Sequence, residues 1–216
     1  MSLLRKTLNW YARLSPARGK SLPPYTHVVQ IGDPTLRRVC EPVPLEKIKT
    51  DEIQTVIKKL NYVMNKYHSV GMSAPQIGVN LRIFVMRVTA LQIGSIPLER
   101  AKMIGMTPLA HAVYINPEIK VVDYQKVVHT EGCESFKGYS ADVPRYKAIE
   151  VSGYNANGEP TKEVYKDWGA RIAQHEVDHL DGKLYVDIMD RKTLHCLCWE
   201  EVNLSKGKVT IPFTPE

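Results

Sequence analysis

Between residues 50 and 68, apolar side chains return every three or four positions. Ile53, Val56, Ile57, Leu60 and Met64 would share one face of a helix. Thr50 stands where an N-cap belongs, Asp51 and Glu52 suit the positive end of the helix dipole, and Gly71 follows soon after the stripe ends. A second helix is predicted over residues 167–181, with Asp167 as its N-cap and Gly182 in the left-handed position past its end. A short helical turn is predicted at residues 32–37, where Asp33 can cap and Pro34 fits the first helical position.

The remaining apolar runs read as strands. Residues 81–88 are compact, apolar and β-rich, the pattern of a buried strand. Residues 89–112 mix Gly, Pro and charge without a period and read as a long loop or insertion. Residues 112–115 and 119–128 read as two strands separated by Asn116-Pro117. Residues 148–154 and 161–165 flank Asn157-Gly158, a strong hairpin signal, and residues 184–187 give a further strand. Antiparallel strands with two helices predict an α+β fold, antiparallel sheets packed around a central helix.

Length and composition narrow this picture. The 216 residues suit one domain, and the 44% hydrophobic content is enough for a real core. No run of 18 apolar residues occurs, so no membrane insertion is expected. The net charge of +6 is uneven: residues 1–32 hold Arg5, Lys6, Arg13, Arg18 and Lys20 and no acid, which leaves +1 for the rest. The body of the chain therefore gives no reason to require nucleic acid. In the basic segment, Leu3, Leu4, Leu8, Tyr11 and Leu14 can share one helix face. A basic, acid-free, amphipathic N-terminus predicts a mitochondrial transit peptide over residues 1–24, followed by a single domain over 25–216. Its apolar stretch is too broken by charge for a secretory signal. A chain this long needs no disulfides, and a mitochondrial matrix keeps thiols reduced. Cys196 and Cys198 lie beside His195 with no further ligand nearby, so they read as ordinary packing thiols.

The chemistry lies in Gln174-His175-Glu176-Val177-Asp178-His179, which contains H-E-x-x-H. Side chains four apart lie on one helix face, about one turn apart, so two imidazoles can grip a single metal ion. Glu176, beside the first of them, is placed to take a proton from a water that the ion polarises. The motif points to metal-assisted hydrolysis, which uses three protein ligands. The pattern H-E-x-x-H-x-x-G-x-x-H places the third downstream. Gly182 matches that offset, but the last position is Tyr185. Glu200 and Glu201 are the downstream carboxylates to consider. Upstream, Glu131-Gly132-Cys133-Glu134-Ser135 offers a thiolate in a tight turn after a strand.

A third segment, Val70-Gly71-Met72-Ser73-Ala74-Pro75-Gln76, completes the pattern. The three segments, in this order, resemble the peptide deformylase family, which carries a G-x-G-x-x-A-P-Q-like segment, an E-G-C-x-S segment and a Q-H-E-x-D-H segment. The Gly-Asp-Pro-Thr-Leu-Arg turn also resembles the family's opening, and the likeness spans roughly residues 27–190. Two positions depart from the bacterial pattern. Ser69 takes the place of the first Gly, and Glu134 the place where bacterial members usually carry Leu. The second change is similar to the mitochondrial branch of the family in animals, and it puts an acid beside a metal ligand.

The resemblance implies a hydrolase that removes the formyl group from N-formyl-methionyl nascent peptides and releases formate. It implies Cys133, His175 and His179 as ligands of one divalent metal ion, Fe2+, Zn2+ or Co2+. Glu176 would relay the proton, Gln76 and the backbone N–H of Glu134 would meet the oxyanion, and Gly71 would let the substrate backbone come close. The acid of Glu134 would bear on the rate. Val70, Gly71, His129, Thr130, Glu131, Trp168, Arg171 and Ile172 would surround the methionine. Trp168, Arg171, Ile172 and His175 share one helix face by spacing. Arg171 would sit at the pocket mouth, meeting peptide backbone or pairing with Glu131 or Glu134, while His129 and Glu131 could instead orient the metal ligands. The setting implied is the mitochondrial matrix, with the mitochondrial ribosome as partner. Exposed apolar strands leave a homodimer open. Two other readings remain. One is a metallopeptidase, against which the missing downstream ligand counts. The other is a low-activity, metal-bound scaffold at the ribosome, kept open by Glu134 and residues 89–112.

Overall fold

The computed structural model describes residues 21–215, so most of the expected transit peptide lies outside the described residues. The helix expected from residue 50 is α1, Asp51–Lys66, and it buries Ile53, Val56, Ile57, Leu60, Val63 and Met64. Thr50 holds the N-cap position, but its hydroxyl donates to the Lys47 carbonyl at 2.7 Å instead of capping. The turn Pro34–Arg37 is capped as expected: the Asp33 carboxylate accepts the Thr35 N–H at 2.9 Å.

Five strands follow one another across an antiparallel sheet: β1 (Gly71–Ser73), β2 (Ile83–Val88), β3 (Leu109–Gly132), β4 (Tyr139–Tyr154) and β5 (Pro160–Lys166). A two-residue strand, β6 (His195–Cys196), joins β4 on its own. The alternation of side chains along a strand explains why β2 is apolar from Ile83 to Met86, with cores on both of its faces. Ile83 and Val85 face the cluster around α1, whereas Phe84, Met86 and Val88 face a second cluster. The β4–β5 hairpin turns at Asn157-Gly158, with Gly158 at φ +75.

Several elements differ from the sequence-based expectation. Residues 112–128 are one strand, not two. Asn116 takes φ +52, the register slips between Ile115 and Glu118, and the Asn116 side chain bonds the Val43 N–H and carbonyl at 2.8 Å each. Asn-Pro thus makes a bulge that the neighbouring chain satisfies. Residues 89–112 are not a plain loop: they hold α2 (Ala90–Gly94) and α3 (Leu98–Met103), then the start of β3. Helices this short have no period to read, although Thr89 and Gln92 form a capping box. Tyr185–Asp187 is a 3-10 turn, not a strand, because Asp187 caps the Leu184 N–H at 2.8 Å.

The central helix is α4, Asp167–Leu180. Its N-cap position is Lys166, and Asp167 falls inside the first turn with φ +47, so the Asp cap expected from sequence does not form. At the other end Gly182 takes φ +72, as expected. An added Cβ there would lie 2.9 Å from the Arg37 carbonyl oxygen, so two constraints require glycine. Ala170, Ile172, Ala173, Val177 and Leu180 pack with Phe84, Met86, Ile149 and Val151. The fold is α+β, with the sheet wrapped against this helix. β3 and β4 run on beyond β1, β2 and β5 as an arm that β6 joins near its end, and the loop at that end carries Cys133.

Candidate metal centre and its cavity

His175 and His179 lie one turn apart on α4, and the arm brings Cys133 to them. One ligand atom from each of the three lies within 4.8 Å of the others. Cys133 Sγ is 3.3 Å from His179 Nε2. A tetrahedral site with ordinary metal–sulfur and metal–nitrogen bonds separates such ligand atoms by roughly 3.5 Å. One thiolate and two imidazoles at that spacing fit a single divalent ion, so the donor set suits the group that the resemblance implies.

Buried charge fixes the orientation of His175. His175 Nδ1 lies 3.0 Å from Glu131 Oε2, which leaves the other ring nitrogen for the centre. The Glu131 carboxylate also accepts from Arg145 Nε at 2.9 Å, Arg145 Nη2 at 3.0 Å and Arg171 Nη1 at 2.6 Å. Burial alone would raise its pKa, but the hydrogen bonds from His175 and Arg145 and their positive charge hold it well below the usual carboxylate range. A second carboxylate, Asp178, accepts from Arg145 Nη1, which ties α4 to β4. Tyr185 lies face to face with the His175 ring, and its hydroxyl donates to the Tyr139 carbonyl at 3.1 Å. The residue that fills the place of a downstream histidine ligand therefore packs beside His175 instead.

Glu176 is buried beside the ligands, with its carboxylate against the Gly71 backbone and the Ser73 hydroxyl. An added Cβ on Gly71 would lie 2.8 Å from Glu176 Cδ. Ser73 Oγ donates to Glu176 Oε2 and lies 3.0 Å from the Glu176 carbonyl. Burial pushes the carboxyl up to about 7, against the pull of the positive His175 and the Ser73 hydrogen bond. Such a group can take a proton and return it near neutral pH. The Gln76 amide oxygen accepts the Ser73 N–H at 2.9 Å, which turns its NH2 toward Ser135 Oγ at 3.3 Å and Cys133 Sγ at 3.7 Å.

These groups open onto a cavity of about 320 Å³. Of the residues expected around the substrate, Val70, Gly71, Thr130, Glu131, Trp168, Arg171 and Ile172 line it, together with Gln76, Cys133, Glu134, His175 and Glu176. His129 does not. It borders a second, smaller cavity with Arg145 and Arg171. Thr130 borders the cavity, but its hydroxyl donates to Asp142 at 2.7 Å. Arg171 is not a free group at the mouth: it is 3% exposed and spends its guanidinium on Glu131, the Val143 carbonyl and the Val127 carbonyl. Of the partners open to it in the sequence, the structure selects Glu131. Glu134 pairs instead with Lys137 at 2.6 Å.

Sequence reasoning missed Ser73, Lys137, Tyr139, Arg145 and Leu197. A signal existed for Arg145, since Ala141, Val143 and Arg145 alternate on one strand face, and a charge in an inward register calls for a buried partner. Leu197 carried none.

Fold and site together define the class, a metal-dependent hydrolase, with two candidate ligands on its central helix and a third at the end of its sheet arm. The chain belongs to the peptide deformylase family: the family model described as polypeptide deformylase matches residues 25–195. The human protein named mitochondrial peptide deformylase is 38% identical over 185 residues, covering 86% of this chain and 76% of its own. The chloroplastic peptide deformylase 1A of Solanum lycopersicum is 38% identical over 198 residues, covering 92% of this chain and 70% of its own. The crystal structure of peptide deformylase from Thermotoga maritima matches with a TM-score of 0.63 at 32% identity, covering 77% of this chain and 98% of that one. The activity is removal of the N-formyl group from an N-terminal methionine, and the peptidase and scaffold readings are not favoured.

Proposed function

We propose that Cys133, His175 and His179 hold one divalent metal ion and that Glu176 moves the proton in the hydrolysis of N-formyl-methionyl nascent peptides. The observation that carries this reading is the meeting of a thiol and two imidazoles within 4.8 Å, beside a buried carboxyl with its pKa near 7. When bound, the ion supplies Lewis acidity, which can bring the pKa of water from ~15.7 to about 7. Glu176 accepts the proton of the water that attacks the formyl carbon, and later gives it to the departing amine. The C–N bond breaks, leaving formate and a free N-terminal methionine. The Gln76 NH2 and the Glu134 backbone N–H stabilise the oxyanion, and Gly71 gives the substrate backbone its closest approach. Val70, Trp168 and Ile172 give the methionine side chain an apolar slot, which suits a flexible thioether.

The native ion is Fe2+, Zn2+ or Co2+, all compatible with one Cys and two His. Residues 1–24 act as a mitochondrial transit peptide and 25–216 as the catalytic domain. The enzyme works in the matrix on chains leaving the mitochondrial ribosome, without need of nucleic acid. The mitochondrial and chloroplast names of its relatives support an organellar site of action. A homodimer would use exposed apolar strand residues such as Val122, Tyr124 and Val128. The deciding experiment is formate release from formyl-Met-Ala-Ser by protein lacking the leader, loaded anaerobically with each ion, with Glu176→Ala as control. Turnover that the control abolishes is the expected result. Stoichiometric metal binding with no formate from any ion would overturn the reading.

A further inference from the structure

The cavity's far rim is built by a segment that starts where the region matching the family model ends, at residue 195. β6 pairs with the start of β4, Tyr139 opposite Cys196 and Ser140 opposite His195. The next residue, Leu197, donates its N–H to the Gly138 carbonyl at 2.8 Å, which sets it on the cavity wall. The segment after it is tethered at two further points. Ile211 Cδ1 packs against Gly138, where an added Cβ would come within 2.8 Å of it. The Tyr67 hydroxyl donates to the Phe213 carbonyl at 3.0 Å.

Held this way, the strap leaves Leu197 with 64% of its surface exposed, and that surface borders the cavity. A lone apolar residue on open surface asks for no explanation. Here the neighbours on the rim are the Glu134–Lys137 ion pair and Tyr139, so Leu197 is an apolar step in a polar mouth. A substrate whose methionine fills the slot of Val70, Trp168 and Ile172 must leave by this mouth. Its following side chains pass the rim in extended form, alternating from one side to the other.

We propose that Leu197 forms an apolar lip that sets the enzyme's preference for the residues following the initiator methionine, favouring apolar over polar side chains there. This rests on the assignment of the cavity to formyl-methionyl peptides. The lip takes no part in the chemistry: its contact is with side chains the reaction leaves untouched, so it acts through KM more than kcat.

The test compares kcat/KM for formyl-Met-Leu-Ser, formyl-Met-Ser-Leu and formyl-Met-Ser-Ser in the metal-loaded wild type, Leu197→Ala and Leu197→Met. The wild type is expected to favour at least one leucine-bearing peptide over formyl-Met-Ser-Ser by on the order of fivefold. Leu197→Ala is expected to erase most of that ratio through a rise in KM, and Leu197→Met to retain it. A wild type without the preference, or a preference that Leu197→Ala leaves intact, overturns the lip while formate release upholds the deformylase. Formate from none of the peptides in the wild type overturns the cavity assignment and the lip with it.

Discussion

At the scale of single residues, the site turns on the Glu176 carboxyl. In the proposed role Glu176 works as a base only when ionised, so activity should be lost as pH falls through its pKa. Burial places that value near 7 in the protein alone, and a divalent cation beside it would pull it lower. The acid limb of kcat/KM should therefore have its midpoint at or below about 7. Ser73 donates a hydrogen bond to the ionised form, so Ser73→Ala should move that limb to higher pH. A pH–rate profile of both proteins checks this, and coincident acid limbs would remove Ser73 from the account. Gly71 sets the position of the same carboxyl from the other side. A methyl group there would meet Glu176 Cδ at 2.8 Å, so Gly71→Ala should push the base out of line. A misplacement of that order lowers kcat by about a hundredfold. The loss should appear in turnover with little change in melting temperature, and an equal fall in both would point to misfolding instead.

At the scale of elements, Arg145 joins three of them: its guanidinium bonds Glu131 on β3 and Asp178 on α4 from its own place on β4. Arg145→Met would leave Glu131 buried with one arginine fewer. Removing one partner of a buried ion network costs about 3–5 kcal/mol, and the remaining Arg171 contact places the expected loss at the low end. Urea unfolding measures it, and a change under 1 kcal/mol would mean that the arm is held by its backbone ladder alone. The elements differ in how legible they were. The stripe Ile53–Met64 and the H-E-x-x-H helix declare themselves because one face of each is buried, and burial imposes a period. The β4–β5 hairpin declares itself through Asn157-Gly158. The arm was harder to read. Asn116-Pro117 looks like a break, yet β3 continues because Val43 satisfies the Asn116 side chain, a partner far away in sequence. In the same way, the three motifs contain the three residues that the fold brings together as candidate ligands, but not the contacts around them. The destination of the Arg171 guanidinium and the turning of His129 into a second cavity depend on the packing of β3, β4 and α4 together, which local pattern does not contain.

At the scale of the whole molecule, the proposed metal centre joins parts that are distant in sequence. Cys133 sits in the loop at the end of the arm and the two histidines sit on the central helix, so an ion bound by all three cross-links the sheet to the helix. An ion that binds only the folded chain stabilises it by mass action, by ~2.7 kcal/mol at a hundredfold excess over its dissociation constant. For a domain of this size, that corresponds to a rise in melting temperature of about 5–10 °C. Chelation should reverse the rise, and it should do so with residues 1–24 removed, since the ligands all lie in the body of the chain. In Cys133→Ser the metal-dependent shift should shrink to a small fraction of this, because a hydroxyl binds such ions far less well than a thiolate. Thermal melts of the two proteins with and without ion make the measurement. An equal shift in both would mean that the ion binds elsewhere and that the arm is not tied to the helix through Cys133.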